Sequence, residues 1–169
     1  MAIELFILDA CVLIDFVTTD PSLLALTSQH VGPVHVASVV LAEVEQLDES
    51  SAATMGLQVV EPALALSLEA ARRQGALSFE DWVSLMLARD NGWTCVTNDR
   101  RLRSECEAQG ISVRWSLALL ELLVAAGALT VDGAADAAES FHQVNPRYVS
   151  ADIVGRFKIK LRSVRRSKT

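Results

Sequence analysis

Five short apolar runs, each followed by a stretch long enough for a helix, most constrain what this chain can fold into. They are ELFIL at 4–8, VHVA at 34–37, GLQVV at 56–60, WTCVT at 93–97 and ISVRW at 111–115. Runs of four or five β-branched and apolar residues suit buried strands. Parallel strands need a crossover of a dozen or more residues, and the spacings here supply it. The pattern predicts an α/β fold with a parallel sheet and helices on both faces. With 169 residues and 51% of them apolar, one buried core is affordable.

Punctuation residues outline the helices. A break is expected at 15–21, with Pro21 opening a helix to residue 30. Ser38 is read as the cap of a helix reaching about residue 48. Pro62 opens an apolar helix closed by Gly75. Ser78-Phe79-Glu80-Asp81 is a Ser-x-x-Asp capping box, and Gly92 is the stop of the helix it starts. Asp99 and Ser116 are read as caps of the next two, ended by Gly110 and Gly127. Residues 132–142 are expected to be helical, and Ser150 to cap a last helix.

The start of the chain lacks the basic region of a secretory leader, and the apolar stretch 117–131 is interrupted by Glu121 and Gly127. The expectation is a cytoplasmic protein without a membrane segment. Cys11, Cys95 and Cys106 are odd in number and have no metal-ligand spacing, so they read as buried, reduced thiols.

Strand ends bring acids together. In a parallel α/β sheet, sites form at the carboxyl ends of strands. Asp9 follows the first run and Asp99 the fourth. Glu43 lies about one turn into the helix after VHVA, and Asp81 in the first turn of its own helix. Both positions point back toward that edge. Four gathered carboxylates repel one another, and a hard divalent cation relieves the repulsion. Oxygen donors without nearby His or Cys favour Mg²⁺ or Mn²⁺. Singly, each acid has a plainer reading: Asp81 and Asp99 as helix caps, Asp9 as a turn residue, Glu43 as a solvated acid. Asp15 could lie near the rim, and Glu80 is expected to point elsewhere. Arg100, Arg101 and Arg103 follow Asp99 and are placed to meet a phosphate backbone.

At ILDACVLIDF, SVVLAEV, LSFEDWVSLMLA and VTNDRRLR the sequence resembles a PIN domain, a metal-dependent ribonuclease family. The resemblance spans residues 3–125. It implies a three-layer α/β/α fold with a central, mainly parallel sheet. It also implies Mg²⁺- or Mn²⁺-dependent cleavage of RNA, with Asp9, Glu43, Asp81 and Asp99 as the acidic catalytic and metal-binding residues. Thr97 and Asn98 would line the pocket. Family members of this size resemble the toxin half of a toxin–antitoxin pair, which implies a small neutralising partner protein and a homodimer. Residues 1–129 would form the nuclease domain, and 130–169 a helical extension with a basic tail.

That tail sets the charge asymmetry. Residues 147–169 hold eight Lys or Arg against Asp152, a net +7, within a chain of −6. The body is therefore at −13. Basic and apolar residues alternate from Arg156 to Leu161. In a strand this would give one basic face; in a helix it spreads the charge around. Either the tail brings RNA to an acidic body or it merely offsets the body's charge. A non-catalytic binding module is the alternative to a nuclease. An aspartyl phosphatase is disfavoured, because Cys11 stands where a second acid is needed. Dinucleotide binding is disfavoured by the lack of a Gly-rich turn after the first strand.

Overall fold

The structure, a computed structural model, describes residues 3–166, with side chains of the last helix as far as Ser163. The side chains of Arg165 and Arg166, and the whole of Lys168, lie outside the described residues.

All five expected strands form: β1 (Phe6–Leu8), β2 (Val34–Ala37), β3 (Leu57–Val60), β4 (Thr94–Val96) and β5 (Val113–Arg114). They pair in the order β3-β2-β1-β4-β5, every pair parallel. β1 is central, and all three of its residues are fully buried. The chain winds outward from β1 through β2 to β3, then crosses back to β4 on the other side. The reversal falls between β1 and β4, and a crevice opens at such a switch point.

The helices are α1 (Ala10–Thr19), α2 (Ser22–His30), α3 (Ser38–Ala42), α4 (Glu49–Thr54), α5 (Leu64–Ala71), α6 (Phe79–Asn91), α7 (Arg100–Ala108), α8 (Ser116–Ala125), α9 (Val131–Val144) and α10 (Ala151–Arg166). Helices α5, α6 and α7 pack together on one face of the sheet; α1, α2, α8 and α9 pack together on the other. The fold is a three-layer α/β/α sandwich. α6 lies across β1, β2 and β4, and residues 82–88 are all buried. Its capping box forms as expected, and Gly92 ends it at φ 67°, a left-handed conformation that costs a glycine nothing.

Four local readings need correction. The helix expected to close at Gly75 ends at Ala71, with Arg72 at its C-cap and Ala63 rather than Pro62 at its N-cap. The break expected at 15–21 begins only after Thr19, because Asp9 caps α1 and carries it through a buried Asp15. The helix expected from 38 to 48 stops at Ala42, and Asp48 caps a separate helix, α4, by accepting hydrogen bonds from the Ser51 amide and hydroxyl, both at 2.7 Å. β-branched residues weaken the first segment, while Asp48 offers a competing start. Ser38 and Ser116 are first helical residues, not caps; Ala37 and Trp115 hold the cap positions.

The core runs past residue 130. Phe141 of α9 is fully buried and meets Phe16 of α1 edge to face, with centroids 4.9 Å apart. Val154, Phe157 and Leu161 bury one stripe of α10 against α9. The alternation at 156–161 is therefore carried on a helix. Among the described residues, no single helix is long and apolar enough to cross a membrane.

Candidate functional site

Asp9 is the first residue beyond β1 and almost wholly buried. Its Oδ1 accepts the Val12 amide at 2.8 Å, capping α1, and its Oδ2 accepts the Thr97 hydroxyl. Thr97, the first residue beyond β4, also accepts the Asp99 amide on Oγ1 at 3.0 Å. One buried hydroxyl thus ties the ends of the two strands that flank the switch point. Burial pushes the Asp9 carboxyl up to about 7 against those hydrogen bonds, with Asp81 and Asp15 adding repulsion.

Asp81 sits at the third position of α6. Its Oδ2 accepts the Ser78 amide at 3.1 Å, while Ser78 Oγ accepts the Asp81 amide at 3.1 Å. Burial raises its pKa, and the charges of Asp99 and Glu80 add to the rise. Asp99 caps α7 through Arg101 N at 2.7 Å. Glu43 ends α3 with an exposed side chain; partial loss of water, then Glu80 and Asp81, raise its pKa. Asp81 is the hub, since its charge is felt at Asp9 and Glu43 while Asp99 acts on it. The capping reading is true of Asp9, Asp81 and Asp99, and Asp81 also lies within electrostatic range of the other two. Glu80 belongs to the same field.

Among the described residues, no Lys, Arg or His forms an ion pair with any of the four acids. The donor set, carboxylate oxygens with a threonine hydroxyl, fits a hard divalent cation. The spacing does not close a cage: among the described residues, no three acidic, His or Cys side chains stand close enough to hold a metal ion. Each Asp has an oxygen committed to a backbone amide. Cys11 lies in the same negative field, half-buried, its thiol pushed up to about 12 by burial and then by Asp9, Asp15, Asp81 and Asp99. It stays protonated and is no nucleophile.

Of the other expected residues, Arg100 and Arg101 are exposed on the first turn of α7. Arg103 turns aside, its guanidinium 3.8 Å over the Trp115 ring. Asn98, expected in the pocket lining, is buried; its amide donates to Ser116 Oγ at 2.9 Å and Asp15 Oδ2 at 3.2 Å and accepts the Ser116 amide at 3.0 Å. It pins the start of α8 to the end of β4. Two neighbours are placed only by the fold: Tyr148, which the sequence does not single out, and Asp15, which it leaves near the rim. Tyr148, 49 positions from Asp99, reaches its Oδ2 with a long hydroxyl contact of 3.5 Å. Asp15 is fully buried behind the crevice, with Oδ1 unpartnered, and burial pushes it up to about 7.

No family model and no curated protein matches the chain. Among solved structures, it is similar to a PilT N-terminus domain protein from the hyperthermophilic archaeon Sulfolobus solfataricus P2, at a TM-score of 0.48 and 12% identity, over 73% of this chain and 93% of that one. The description names the PIN family, whose motifs the sequence resembles. A likeness so distant bears on neither activity nor substrate.

Proposed function

We propose that the chain is a metal-dependent endoribonuclease of the PIN type, with Asp9, Asp81 and Asp99 as the cation-binding carboxylates and Glu43 at the rim. One observation supports this reading: acids from four elements raise one another's pKa near the β1/β4 switch point, and among the described residues no cationic side chain pairs with them. An isolated cluster of this kind is costly to keep ionised. A Mg²⁺ or Mn²⁺ ion bound there supplies positive charge to phosphate oxygens and lowers the pKa of its water. Thr97 holds Asp9 and Asp99 in register, and the α6 capping box orients Asp81. Arg100 and Arg101, exposed beside Asp99, meet the phosphate chain that the acids would otherwise repel.

Incubation of the full chain with a labelled single-stranded RNA tests the proposal. Cleavage in Mn²⁺ or Mg²⁺, lost in EDTA and in Asp9→Asn, is expected; cleavage that persists in EDTA refutes it. A toxin role, with a small antitoxin protein and a homodimer, belongs to the same proposal. Growth arrest on expression, abolished by Asp9→Asn, is its expected sign.

A second reading has its own observation. Three Asp side chains bond the amides of helix starts, and among the described residues no three acids stand as a ready cage. A PIN-like module that binds RNA or a protein without cutting fits that arrangement. Salt-sensitive RNA binding with no cleavage in any divalent metal selects it.

A further inference from the structure

Beside β5, helices α8 and α10 leave a cavity of about 620 Å³. Its floor is apolar, made by Leu117, Ile153 and Phe157. Its rim carries Arg114, Arg156 and Lys160 with Glu121, and Arg114 is held from outside the cavity by Glu4, its Nε 2.8 Å from the carboxylate. Trp115 forms the end nearest the acidic crevice. The Arg114 carbonyl accepts the Thr97 amide at 3.0 Å, and the Ser116 amide donates to Asn98 at 3.0 Å. Trp115 is thereby bracketed by the two residues that precede Asp99.

Trp115 is 36% exposed as a residue. Arg103 covers one face at 3.8 Å, and one of its guanidinium nitrogens is buried with no partner. Arg156 and Lys160 are engaged by Asp152 and Glu121 in exposed pairs. Such exposed pairs add little to stability, so exchanging an acid for a phosphate costs little. Flat aromatic surface, an apolar floor and a cationic rim are what an unstacked base and its phosphates require. The bases of a duplex are already stacked and cannot use the ring. An apolar peptide would use the floor but offer nothing to the unpartnered Arg103 nitrogen or to the exchangeable Arg156 and Lys160.

We propose that this cavity binds a short single-stranded segment of the RNA, a base stacking on Trp115 and phosphates meeting Arg103, Arg156 and Lys160, next to the acidic crevice. This rests on RNA being the substrate proposed above. It also gives the extension a role: α10 supplies one wall of the track.

The test is fluorescence anisotropy of a labelled ten-nucleotide oligouridylate with the full chain in EDTA, where no metal-dependent cleavage occurs. Trp115→Leu, which keeps apolar bulk, is expected to weaken binding about tenfold, and Trp115→Phe to recover most of it. The double change Arg156→Gln with Lys160→Gln, both at exposed positions, is expected to weaken binding and flatten its salt dependence. Weaker binding of a duplex of equal length supports the proposal. Undetectable binding by the unaltered chain overturns it. So does binding unchanged in both Trp115→Leu and the double variant, which would leave the cavity to a protein segment. Trp115-dependent binding without cleavage in any metal would remove the nuclease reading and leave this one standing. Cleavage with unchanged KM in both variants would do the reverse.

Discussion

The acidic crevice and the last helix treat charge in opposite ways. At the crevice, Asp9 and Asp15 are buried with their carboxyls pushed up to about 7, and among the described residues no cation is paired with any of the four acids. On α10, Arg156, Lys158 and Lys160 each meet an acid at the surface: Asp152, Glu139 and Glu121. The extension is attached by a different means, the apolar stripe of Phe141, Val154, Phe157 and Leu161. Charge that is buried and uncompensated lowers stability and persists where a ligand answers it. Charge that is exposed and matched contributes little to stability and is available for exchange. The contrast separates a region of buried, unpaired charge from one attached by apolar packing with its charges paired at the surface.

The largest effect should come from the apolar side of the extension. Phe141→Ala removes a fully buried ring and its edge contact with Phe16. A loss of about 3–5 kcal/mol is expected in denaturant unfolding. A loss below 1 kcal/mol would mean that the extension docks only peripherally.

Next is Asp15. Its folded carboxyl lies near 7, against 3.8 for an ordinary Asp. The folded state therefore binds the proton more tightly than the unfolded state. Stability from this group is present below pH 4, is lost as pH rises toward 7, and is level above that. The difference from 3.8 to about 7 corresponds to at most about 4 kcal/mol. Asp15→Asn should flatten the fall in stability between pH 4 and 7, read from melts at fixed ionic strength. An unchanged slope would show that Asp15 is hydrated and uncoupled.

Asp9→Asn sharpens the other half of the comparison. Asn also caps helices, so α1 should survive, and the melting temperature should hold or rise as a buried charge is removed. Metal-dependent cleavage should drop at least about 100-fold, near 2.7 kcal/mol in the barrier. A large loss of stability would make Asp9 a structural acid. Smallest of all, Lys158→Ala should change stability by less than about 1 kcal/mol, and added salt should not deepen the loss. A larger cost would place α10's charges among the forces that hold the fold.

Much of this was legible in local chemistry. The five strands, the Ser78–Asp81 capping box and the Gly92 stop follow from residue types within a few positions. The positions of Asp9 and Asp99 were readable because Asp9 immediately follows β1, Asp99 comes three residues after β4, and parallel strands end on one edge. Residues 38–48 were not readable, since the choice between one helix and two depends on competing caps at Ala37 and Asp48. Asn98 was expected to line the pocket from its place beside Asp99; its partner Ser116, 18 positions away, turns it toward Asp15.

By itself, then, the sequence determined the α/β alternation, the strand ends and the order of the acids, because these depend on short-range periodicity and turn chemistry. Only the tertiary structure decided which groups share a field: Thr97 with Asp9 across 88 positions, Arg103 stacked on Trp115, and Tyr148 reaching Asp99 from the extension. Burial and electrostatic coupling are properties of distance in space. Chain separation carries no record of them until the sheet order and the packing of α9 and α10 bring those residues together.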